Sequence, residues 1–172
     1  MPKNTPKRDF KVWALACSNS GYLLKFFVYE GKSNTDEIGT LGERVVKEIS
    51  NTYQDKGYCL FFDNYFSTVP LIQELLERKF FTCARFRSDR KYSPADLLKD
   101  VKKMKFGDSK YAMAGDVSFT VWKDRGTKPV MIVSTMHNPS STTTVKTGPN
   151  QQNKLGQKED ICRMSDCRSR LE

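Results

Sequence analysis

The chain has 172 residues, 38% of them hydrophobic and 12% aromatic, enough for one domain with a sizeable core. Its 29 Lys and Arg against 20 Asp and Glu leave a net charge of +9, which favours anionic partners, nucleic acid first. No apolar run approaches the roughly 20 residues that span a bilayer. The basic opening MPKNTPKRDF lacks the apolar segment of a secretory signal. The expectation is an intracellular chain, nuclear or cytoplasmic, with no membrane partner.

Residues 10–16 (FKVWALA) and 22–29 (YLLKFFVY) are rich in β-branched and aromatic side chains and flank the turn signal Ser18-Asn19-Ser20-Gly21. They predict a β-hairpin, apolar on both sides and therefore inside a covered sheet. Thr40-Leu41-Gly42-Glu43 matches a capping box, and Leu41, Val45, Val46 and Ile49 follow at helical spacing. This helix ends near Ser50-Asn51. Next, Cys59, Leu60, Phe61 and Phe62 form an apolar run too short for a helix, read as a strand buried on both faces.

That strand ends in Asp63-Asn64, followed by Tyr65, Phe66 and a helix from about Thr68 to Arg78 with Pro70 in its first turn. Leu71, Ile72, Leu75 and Leu76 make its apolar stripe. Residues 80–86 read as a further strand running into the basic patch Arg85, Arg87, Arg90, Lys91, which Lys99, Lys102, Lys103 and Lys105 continue. A short helix is expected over residues 94–103, capped by Ser93. Residues 111–114, 117–123 and 129–135 are short strands joined by turns at Gly115-Asp116 and Asp124-Arg125-Gly126. They suggest a small antiparallel appendage. Beyond His137-Asn138-Pro139 the Ser, Thr, Asn, Gln and Lys content predicts a low-order tail.

Candidate chemistry is sparse. An acidic residue at the carboxyl end of a buried strand stands where α/β sheets place ligands. Asp63 has that position, yet Asp and Asn also serve turns and helix caps, and the residues alone leave both readings open. One carboxylate cannot assemble two divalent cations. His137 is the sole histidine and has no identifiable nucleophilic partner. Cys17, Cys59, Cys83, Cys162 and Cys167 are expected to be reduced thiols, since two cysteines in a polar tail do not make a structural zinc site.

The ordered blocks MPKNTPKRDFKVWALA, LGERVVKEIS, FFDNYFSTVPLIQELLERK, RFRSDRK, VSFTVWKD and PVMIVSTMHNP resemble the piggyBac-transposase-derived family from Met1 to about Lys146, with DNYFS the most specific piece. The resemblance implies an α/β fold. It would be a partial ribonuclease H-like mixed sheet with flanking helices over residues 1–104, a β-rich insertion over 105–138, and a disordered tail over 139–172. It also implies cut-and-paste DNA chemistry on two magnesium ions held by three aspartates.

Asp63 matches the second of these aspartates. The first belongs to a strand upstream of the matched segment, and the third to a Gly-Gly-Val-Asp setting absent here. Asp160 and Asp166 sit in the unrelated tail QKEDICRMSDCRSRLE and do not inherit that role. At the Arg-rich strand end Ala84 stands where the family usually has Gly, and Asp89 where it often has Asn. Arg87, Arg90, Lys91, Lys102 and Lys103 are the candidate DNA contacts.

The expectation is a transposase-derived domain fragment without DNA cleavage or transposition as this chain, retaining residual DNA binding. As this chain it needs no cofactor, and Asp63 would hold metal only if partners were supplied. The alternatives are a domesticated DNA-binding or protein-interaction module, or part of an active transposase in a longer isoform.

Overall fold

The computed structural model describes residues 11–31, 38–123 and 128–141. It divides into two compact units, Met1–Thr52 and Tyr53–Glu172. The expected tail lies, from residue 142 on, outside the described residues, as do Asp160, Asp166, Cys162 and Cys167.

In the first unit, β1 (Val12–Ala16) and β2 (Leu23–Val28) pair antiparallel in a two-stranded sheet. Gly21 supplies the positive φ of the connecting turn, +71°. The register places Trp13 opposite Phe27, and Val12 and Ala14 opposite Val28 and Phe26 on the other face. Trp13 is buried, edge-on to Tyr29, with the Lys11 ammonium 4.2 Å from its ring centroid. On that side α1 (Leu41–Ser50) closes against β1, and Lys25 Nζ donates to the Glu48 carbonyl at 3.0 Å. The capping box is formed: the Thr40 amide donates to Glu43 Oε2 at 2.7 Å, and the Glu43 amide to Thr40 Oγ1 at 3.3 Å.

The opposite hairpin face corrects the expectation of a covered sheet. Val12, Ala14, Ala16, Leu23, Phe26 and Val28 are all exposed, Phe26 at 58%. Apolarity on both sides predicts two covers, and among the described residues α1 supplies one. An uncovered apolar face is an association liability. Phe26→Glu should therefore raise the concentration at which the chain stays monodisperse in light scattering. Its effect on stability should stay within about 0.5 kcal/mol, as for ordinary surface changes.

The second unit is built on a five-stranded mixed sheet of order β3-β4-β7-β6-β5. Its strands are β3 (Cys59–Phe62), β4 (Phe81–Arg85), β5 (Ser109–Ala114), β6 (Val117–Trp122) and β7 (Val130–Ser134). β3 and β4 run parallel, joined by helix α2 (Val69–Glu77), while β4–β7, β7–β6 and β6–β5 are antiparallel. Parallel neighbours require such a crossover. Thr68 caps α2 by accepting from the Leu71 amide at 3.3 Å, and Pro70 occupies its first turn. Gly115 takes φ +60° in the two-residue turn between β5 and β6.

One face of this sheet carries the core. Ala84 and Phe86, Val117, Phe119 and Val121, and Met131 and Val133 pack with Ile72 of α2 and with Leu97 and Met104. Phe86 and Phe119 meet edge to face at 5.4 Å. The antiparallel strands expected to form an appendage are continuous with β3 and β4 through the β4–β7 pairing, so the boundary expected near residue 104 falls inside one sheet.

β3 lies at the edge of this sheet among the described residues, and Phe61 is 43% exposed. The expectation that both its faces are buried therefore fails. Leu60 is buried and Phe62 packs on the core, while Phe61 points to the other face. The helix expected over residues 94–103 is broken: α3 covers Ala95–Leu98, Asp100 adopts φ +60°, and a 3-10 turn follows over Val101–Lys103. Pro94, not Ser93, occupies the cap position of α3, without a side-chain bond. No helix among the described residues is long and apolar enough to cross a membrane.

Candidate functional site

Parallel register aligns Phe62 of β3 with Ala84 of β4, so the next residues, Asp63 and Arg85, stand side by side at the carboxyl ends of the two strands. Arg85 Nη1 lies 3.8 Å from Asp63 Oδ1, and both side chains are largely exposed, at 61% and 59%. A separation this long at the surface contributes little to stability. Its consequence is electrostatic, because the carboxylate faces solvent with a guanidinium beside it.

The turn after β3 uses the backbone of Asp63 and leaves its carboxylate alone. The Asp63 carbonyl accepts from the Phe66 amide at 3.1 Å and from Ser67 Oγ at 3.1 Å. Ser67, fully buried, also approaches the Arg85 carbonyl at 2.5 Å and so ties the ends of β3 and β4 together. Arg90 closes the loop from outside, its Nη2 donating to the carbonyls of Tyr65 at 3.1 Å and Asn64 at 3.4 Å. Since Thr68 caps α2, the Asp63 carboxylate is spent on neither turn nor cap. Of the two readings left open by the sequence, the strand-end position is the one the geometry fits.

The candidate basic contacts are not equivalent. Arg87 grips Asp89 with two parallel bonds, Nε to Oδ1 at 2.9 Å and Nη2 to Oδ2 at 2.5 Å. The hydrogen bond from Arg87 holds the Asp89 carboxyl below the usual aspartate range, and Arg87 is raised in turn by its bond to Asp89. Arg90 is committed to the loop carbonyls. Lys103 pairs with Asp100 at 2.7 Å, and Lys99 with Asp96 at 2.6 Å. Lys91 lies 4.9 Å from the centroid of the exposed Tyr92 ring, and Lys102 makes no ion pair among the described residues.

His137 does meet a hydroxyl, with Ser134 Oγ 2.9 Å from its Nδ1. Ser134 is buried, and its oxygen also accepts from the Met136 and His137 amides at 3.2 and 3.3 Å. That is a serine turn following β7, with no nucleophile presented to solvent. Neither Cys17 nor Cys83 enters a disulfide.

Among the described residues no three His, Cys, Asp or Glu side chains converge to hold a metal ion. A dinuclear magnesium centre needs several acidic oxygens. Asp63 offers one carboxylate with a cation next to it, so the described residues do not fit that group.

Two comparisons bear on this site. A family model described as Transposase IS4 matches residues 1–162. The chain belongs to this transposase family. The fold is also similar to that of a piggyBac transposase, solved by cryo-EM as a synaptic complex with hairpin DNA, with a TM-score of 0.73 and 25% identity. The match covers 83% of this chain and 30% of that one, so the chain spans under a third of that relative's length. Together they make it a piggyBac-type transposase-derived domain. Arg85 and Ser67 are the site residues that sequence reasoning passed over. The sequence puts Arg85 in the basic patch, but only the β3–β4 register brings it to Asp63.

Proposed function

We propose that this transposase-derived domain binds DNA through its exposed basic side chains and does not cleave DNA with its own residues. The observation that carries the reading is the Asp63–Arg85 pair. Where the family resemblance implies a metal-bearing aspartate, the carboxylate has a guanidinium neighbour and belongs to no group of three metal-ligating side chains among the described residues. The net charge of +9 and the relative's complex with hairpin DNA support binding. Lys91 and Lys102, whose charges pair with no acid among the described residues, are the principal phosphate contacts in this reading, with Arg87 partly masked by Asp89.

The test is fluorescence anisotropy of the chain with duplex DNA across a salt series. Binding should weaken steeply as salt rises, log K falling linearly with log salt. Asp89→Asn, which releases Arg87 from its internal partner, should tighten binding several-fold and steepen the slope by about one contact. Undetectable binding at low salt would end the DNA-binding reading.

A second reading is favoured by the length of the relative, of which this chain covers 30%. In it, a longer polypeptide brings the other acids to Asp63 and displaces Arg85. An extended chain that nicks DNA, and loses nicking on Asp63→Ala, would support it.

A further inference from the structure

The disagreement between Asp63 and a metal centre has a specific source. Asp63 and Arg85 occupy equivalent positions at the ends of adjacent parallel strands, and Ser67 ties both backbones together from the interior. The sheet therefore holds the two residues side by side, and the guanidinium stands 3.8 Å from the carboxylate. Any cation ligated by Asp63 would sit a few ångströms from a permanent positive charge that cannot be titrated away.

We propose that Arg85 is the residue that excludes divalent cations from Asp63, acting as a resident countercharge at the strand end. This rests on reading Asp63 as the family's metal-bearing position. A fixed positive charge about 4 Å from the carboxylate repels a dication bound there twice as strongly as it would a monovalent ion. With screening by salt, removal of Arg85 should improve divalent binding at Asp63 by roughly ten-fold.

The test is a Mn2+ titration of the full-length, 15N-labelled chain at low ionic strength, read as paramagnetic broadening of the amide signals of residues 63–66. Signals of core strand β6 serve as the control for folding. Arg85→Ala should reach half-broadening at about one-tenth of the wild-type Mn2+ concentration. Arg85→Lys, which keeps the charge, should behave like wild type. The double variant Arg85→Ala, Asp63→Asn should show no local broadening. Equal titrations for wild type and Arg85→Ala would overturn the proposal, as would wild-type broadening at micromolar Mn2+. The readout involves no DNA, so a chain that fails to bind DNA would leave this result standing on its own.

Discussion

Replacing Phe80 with alanine should destabilise the second unit by about 3–5 kcal/mol, the range for emptying a buried aromatic site. Phe80 is fully buried, and its amide donates to the Leu75 carbonyl at 2.8 Å where α2 hands the chain to β4. Leu71, Ile72 and Leu75 of α2 are likewise fully buried. For a chain of this length the loss corresponds to a drop of about 6–20 °C in melting temperature. Circular dichroism melting checks it. A fall below about 3 °C would mean that this corner is not the core.

The second large effect is expected at Ser67. Its hydroxyl lies between the carbonyls of Asp63 and Arg85 with no exposure to solvent. A single proton serves both acceptors, so Ser67→Ala leaves two strand-end carbonyls without that donor, at a cost of about 1–3 kcal/mol. The more telling consequence is local. Hydrogen exchange at the Phe66 amide, which donates to the Asp63 carbonyl, should speed up by at least ten-fold, while β6 amides change only in step with global stability. Uniform acceleration across both regions would assign Ser67 a role in packing alone.

Much of the fold was legible because its signals are local. The capping box at Thr40 and Glu43, the cap and early proline of α2, and the Gly115 turn each depend on residues within four positions of one another. The hairpin strands and β3 to β7 were also readable as runs. What escaped was non-local. The β4–β7 pairing, which merges the antiparallel strands with the core, joins residues some fifty positions apart, and no composition signal encodes it. The exposed face of the hairpin escaped for a related reason: an apolar run reports that a side chain prefers burial, not whether a cover is at hand.

The candidate site divides in the same way. Asp63 could be found from the strand-then-acid pattern and from the DNYFS block. Arg85 could not be placed beside it without the register of two strands that α2 separates. The basic patch was readable as charge. The partners that mask it were not: Asp89 sits two residues from Arg87, and Asp100 three from Lys103, yet only geometry shows those pairs closed. Arg90, a candidate DNA contact from its charge, also secures the turn after β3, which only the geometry shows.

The decisive question is whether Asp63 works on DNA in this chain. The direct measurement is incubation of the purified full chain with a supercoiled plasmid in Mg2+ and, separately, in Mn2+, scoring conversion to the nicked circle beside an Asp63→Ala control. The predicted result is no nicking above the control in either metal. Nicking that disappears in Asp63→Ala would contradict it.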